Sequence, residues 1–161
     1  MILDLTGRLL NAYSPTSTGT TYQQYIDRLT PMDDGAGEPL YLFGKVTTAV
    51  TSGGSATVNF QLVGNPSDPT FSSGNVVWMD AGIPPGTGIG KSSLVAGYAF
   101  FRAPIPRSPQ SGSYEAETLL IRYWSVAVII GTAALTAGTF DCWIGSKPLQ
   151  DSLAYPRAYT V

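Results

Sequence analysis

The stretch nearest to a reactive motif is Gly86-Thr87-Gly88-Ile89-Gly90-Lys91-Ser92. A phosphate-cradling loop needs a glycine, four residues, then Gly-Lys-Ser/Thr, so that backbone N–H groups wrap the phosphates. Counting back from Gly90 puts Pro85 at the first position, and proline removes a donor from the cradle. The residues that follow read as a strand, whereas the loop must open a helix. The stretch is therefore read as an exposed glycine-rich loop whose lysine favours solubility. Asp33-Asp34-Gly35-Ala36-Gly37-Glu38 gathers three carboxylates, but a hard cation wants six to eight oxygens. A solvated turn is the plainer reading. Glu115 and Glu117 share one side of any strand, with nothing around them to raise a carboxyl pKa for acid catalysis. The chain contains no histidine, so a Ser-His-Asp triad, a Cys-His dyad and His-ligated metals are excluded. Cys142 is the only cysteine and can form no internal disulfide. No catalytic constellation, metal set or cofactor motif emerges, and an enzyme is not expected.

The elements that would position any site are short. Glycine numbers 18 and proline 12 in 161 residues, which leaves little room for long helices. Thr57 to Val63 alternates cleanly, with Val58, Phe60 and Leu62 inward and Thr57, Asn59 and Gln61 toward water. Leu40 to Val50 precedes it across the turn 51–55, and the pair is predicted to form a hairpin. Further strands are expected at 76–80, 94–102, 119–130, 139–144 and 157–161. In the fourth of these runs Phe140, Cys142 and Ile144 share a face, which makes Cys142 a small core residue. The uncharged run 123–140 has the minimum length of a membrane span. Its β-branched, glycine-broken character instead reads as two buried strands and a turn. Residues 21–29 allow either a helical turn or a strand at Tyr25-Ile26-Asp27. Six or more short strands between turn signals predict an all-β fold: a jelly roll or antiparallel β-sandwich, in one domain over 1–161. Residues 1–36 are read as an N-terminal arm and polar lead-in. Residues 37–161 form the β core, with long Pro/Gly-rich loops at 81–93 and 103–118.

The surface is poor in charge. Charged residues make up 12% and the net charge is −2, against a usual charged share of about 25%. That balance argues against nucleic acid and against an anionic membrane surface as partners. No secretory leader is expected at the N-terminus. Nine tyrosines remain to be placed. Tyrosine gives contact area at low entropic cost and favours interfaces. Tyr13, Tyr22 and Tyr25 near one end, and Tyr155, Arg157 and Tyr159 near the other, are the candidate contacts with a partner or a second copy. Trp78 beside Asp80, and Trp143 beside Asp141, are the pairs that a glycan-binding site would use, although both also suit a strand interior.

Several segments resemble the capsid cement (decoration) proteins of tailed bacteriophages, of the Bordetella-phage type. They are Met1-Ile2-Leu3-Asp4, Gly37-Glu38-Pro39-Leu40-Tyr41-Leu42, Ser55 to Leu62, Asn65 to Ser73 with Phe71, Ile121-Arg122-Tyr123, Ala137-Gly138-Thr139-Phe140 and Tyr159-Thr160-Val161. Their order along nearly the whole chain is similar. The loop 103–112 with its tail 113–118, and the loop 81–90, are longer here. The resemblance implies a jelly roll that forms a homodimer, binds the major capsid protein on the outer surface of an expanded icosahedral head, and clamps neighbouring subunits. On that reading the polar stretch 11–21 is a flexible segment that orders on the lattice. The alternatives are a glycan- or receptor-binding β-domain of a virion, and a minor structural protein of the tail or neck.

Overall fold

The computed structural model describes residues 7–28, 40–106 and 121–145. They form ten strands: β1 Arg8–Tyr13, β2 Gly19–Thr21, β3 Tyr25–Asp27, β4 Tyr41–Thr51, β5 Thr57–Asn65, β6 Val76–Asp80, β7 Ile89–Gly90, β8 Ala99–Pro104, β9 Tyr123–Gly131 and β10 Ala137–Gly145. One sheet runs β1-β10-β4-β8. The other runs β2-β9-β5-β6, with β3 also on β9 and β7 also on β5. All pairs are antiparallel. Most consecutive strands lie in opposite sheets, and the order of each sheet is that of an eight-stranded jelly roll whose second strand is split into β2 and β3. The protein is an all-β antiparallel sandwich. Among the described residues no helix is long and apolar enough to cross a membrane. The run 123–140 is two strands and a turn, with β9 and β10 in different sheets.

The core forms where the inward faces meet. Val58, Phe60 and Leu62 of β5 and Trp124, Val126, Val128 and Ile130 of β9 face Leu42 and Val46 of β4 and Phe140 and Cys142 of β10. Phe60 bridges the layers. It stacks on Phe100 with centroids 3.7 Å apart and meets Phe140 edge-on at 5.0 Å. Gly44 permits this, because a Cβ there would lie inside the Phe100 ring. Trp78 and Trp124 make a second aromatic contact at 5.0 Å. Cys142 sits in the core, where burial pushes its thiol pKa up and disfavours the reactive thiolate.

Several expectations need correction. The runs 40–50 and 57–63 are strands but not a hairpin: β4 pairs with β10 and β8, β5 with β9, β6 and β7. Turn 52–56 carries the chain from one sheet to the other, so that each strand turns its apolar side into the shared core. Asn59 does not face water but is buried, and its carbonyl oxygen accepts the Phe60 N–H at 2.9 Å. Residues 8–27 are not an arm. β1 places Leu9 and Leu10 in the core, side by side because the pairing with β10 slips between Arg8 and Leu10, while β2 and β3 line the edge of β9. Of the two readings of 21–29, the described residues 21–28 take the strand, at 25–27. The run 94–102 is a strand only from Ala99. Before it Gly97, with φ +89°, turns the chain, although Leu94 and Tyr98 still bond to β4. Lys91 closes a single 3-10 turn, and its Nζ donates to the Ser52 carbonyl at 2.7 Å, so it ties two loops together. The expected strand at 157–161 and the acidic turn 33–38 lie outside the described residues, as do Glu115 and Glu117.

Gly44→Ala should cost about 1–3 kcal/mol in guanidinium unfolding, the range for overpacking a filled core. Gly90→Ala, whose added methyl meets only the Ser92 hydroxyl at 3.9 Å, should stay within about 0.5 kcal/mol. Equal effects from the two substitutions would refute the packing assigned to Phe100.

Candidate interaction surface

Each sheet has an outer face as well as a core face. On the outer face of the β2-β9-β5-β6 sheet, Val63, Tyr123 and Ala127 form a second apolar cluster with Phe71. Phe71 reaches it from the loop 66–75, with an unusual left-handed φ of +55°. A polar knot holds that conformation. The Asp68 carboxylate accepts the N–H and hydroxyl of Thr70 at 2.8 and 2.6 Å, and those of Ser72 at 2.8 and 2.6 Å. Asn65 Oδ1 accepts the N–H groups of Ser67 and Asp68, and its amide donates to Ser73 O and Asn75 Oδ1. Asn75 in turn donates to the Phe71 carbonyl at 2.7 Å and to the Tyr22 hydroxyl at 3.4 Å. These hydrogen bonds hold the Asp68 carboxyl well below the usual carboxylate range, with those from the side chains of Ser72 and Thr70 the largest cause.

This cluster is where two of the candidate tyrosines go. Tyr22 stacks on Phe71 at 5.2 Å, and its burial raises its hydroxyl pKa. Tyr25 meets Tyr123 edge-on at 5.6 Å and remains 51% exposed. Beside them Arg122 grips Asp27 through two bonds of 2.9 and 3.0 Å, and its guanidinium lies 4.8 Å over the Tyr123 ring. Tyr13 does not join them. It ends β1 and packs on the main core. Tyr155, Arg157 and Tyr159 lie outside the described residues.

The sequence reading missed a second presented residue. Ile83 is 94% exposed at the tip of the loop after β6. Asp80 braces the loop, accepting the N–H groups of Gly82 at 2.7 Å and Gly86 at 2.9 Å. The Asp-x-Gly spacing at 80–82 followed by two prolines was the available signal. The tryptophan–aspartate pairs are not sugar platforms: Trp78 and Trp143 are buried, Asp80 braces its loop, and Asp141 is taken by Arg8 and the Ala12 N–H. Among the described residues no group of three or more Cys, His, Asp or Glu could hold a metal ion.

The sandwich thus presents one aromatic side chain, Tyr25, from a strand and one aliphatic side chain, Ile83, from a braced loop. The Bbp16 family matches residues 16–144, well over half of the chain, and the protein belongs to that family. The family name points to a Bordetella phage protein. A search of the curated proteins finds no match.

Asp68→Asn tests the knot. A carboxylate whose folded pKa is depressed stabilises the fold above its unfolded pKa near 3.8, and that stabilisation is lost as pH falls below it. The wild type should therefore melt higher than Asp68→Asn at pH 6–7, and the gap should narrow in melts taken below about pH 4. A gap independent of pH would show that the Asp68 charge does not hold the loop.

Proposed function

We propose that this protein is a non-catalytic structural component of a phage virion. It binds the outer surface of the expanded icosahedral head and clamps neighbouring major capsid proteins against the pressure of packaged DNA. The observation that carries this reading is membership of a phage-associated family over residues 16–144, which takes in the sandwich from β2 to β10 and leaves out β1. The physics supports it. A clamp that binds only the expanded lattice stabilises that lattice by mass action. Two linked contacts, on one molecule or on a homodimer, raise effective affinity by about 10²–10⁴-fold when geometry allows both. A surface with few charges makes most of that attachment insensitive to salt. Exposed aromatic and aliphatic side chains on a fixed backbone lose little entropy when they dock, and Tyr25 on β3 and Ile83 on its braced loop are such groups.

Co-sedimentation tests the proposal. The protein should pellet with expanded shells and stay in solution with compact precursor shells. Equal binding to both, or to neither, would reject it. Saturable binding on a glycan array, without shell binding, would favour the receptor-binding alternative.

A further inference from the structure

The outer face of the β1-β10-β4-β8 sheet holds a third aromatic group, separate from both apolar clusters. Cross-strand register sets Trp143 of β10 beside Phe43 of β4 and Phe43 beside Arg102 of β8, while Lys45 pairs with Asp141 in a neighbouring row. Phe43 stacks on Trp143 at 5.8 Å. Next to them opens a cavity of about 150 Å³, with Phe43, Phe101 and Trp143 among its walls and Lys45 and Arg102 as its charged lining. A cavity of roughly this volume holds a benzene ring, so one side chain fills it.

The charges around it do not balance. The described carboxylates are all engaged within the fold: Asp27 with Arg122, Asp68 in its loop, Asp80 in its loop, and Asp141 with Arg8 and Ala12. Arg8, Arg122 and Lys91 are likewise engaged, and Arg28 has a partner. Lys45 and Arg102 are the two described cations without a hydrogen bond or ion pair, and both line this one cavity. Lys45 instead lies 5.8 Å from the Trp143 ring centroid. The lining thus carries two positive charges and no carboxylate, on a chain whose net charge is −2.

Resting on the function proposed above, we propose that this cavity receives an acidic side chain, a glutamate or aspartate, from an exposed segment of the capsid subunit. The aromatic wall takes the aliphatic stem. The planar guanidinium of Arg102 and the ammonium of Lys45 take the carboxylate through charge-assisted bonds. A polyanion such as nucleic acid is disfavoured, because two cations on a net-negative chain offer too small a basic field.

The test uses the full chain, expanded shells of the source particle, and the variant Lys45→Gln/Arg102→Gln. Neither residue supports the core, so circular dichroism and Tm should match the wild type. Attachment of the double variant to the shells should weaken at least tenfold, and each single variant should fall in between. Unchanged attachment would overturn the inference while leaving the functional reading intact. So would a loss confined to self-association in the ultracentrifuge, which would assign the cavity to a second copy. Failure of the wild type itself to attach would overturn both.

Discussion

The stack of Phe60 on Phe100, with Phe140 against its edge, is the contact on which the rest of the molecule depends. It joins the two sheets at their centre. Gly44 must lack a side chain for the rings to lie flat, and each strand that feeds this layer must turn its apolar residues inward from one sheet or the other. Chain crossings such as 52–56 between β4 and β5 follow from that demand. Among the described residues, aromatic and branched side chains from both sheets meet in that shared layer.

What the outer faces and loop tips carry is limited by how few charges the chain has. Each of the four described carboxylates, Asp27, Asp68, Asp80 and Asp141, holds local geometry. Asp68 and Asp80 pin loops through backbone N–H groups, Asp141 pins the irregular end of β1, and Asp27 fixes Arg122 against Tyr123. Pinned loops present Phe71 inward and Ile83 outward with little freedom left to lose. Preorganisation of this kind favours contact with a repeating, rigid partner, because the entropic cost of ordering falls on folding rather than on binding. A charge left unpaired in such an economy stands out, which is why Lys45 and Arg102 carry an inference that their residue types alone would not.

The sequence revealed the fold class through local signals. Period-two alternation at 57–63 placed Val58, Phe60 and Leu62 correctly, and glycine and proline spacing excluded long helices. It misled wherever the answer depended on which sheet a strand enters. Adjacency of 40–50 and 57–63 suggested a hairpin, because a turn is local information whereas the crossing between sheets is set by distant partners on β9 and β10. The segment 8–27 looked like a polar arm because its strands are short and edge-bound, and only two consecutive leucines mark the slipped register that buries them. Asn59 appeared wet because one polar residue in an alternating strand normally is. Tyr22 and Tyr25 were recognisable as surface aromatics. Their meeting with Phe71 and Tyr123 was not, since the first depends on the Asn65–Asp68–Asn75 knot and the second on the pairing of β3 with β9. The stacking of Trp143 on Phe43 was hidden because it is set by the register of β10 on β4, strands far apart in the sequence.

The most direct measurement of the central claim is cryo-electron microscopy of the source particle with its capsid lattice resolved. The account requires sandwich-shaped density on the outside of the mature head, seated across subunit boundaries, in a copy number fixed by the lattice symmetry. Density confined to the neck or tail in about a dozen copies or fewer, or no such density on the head exterior, would contradict it.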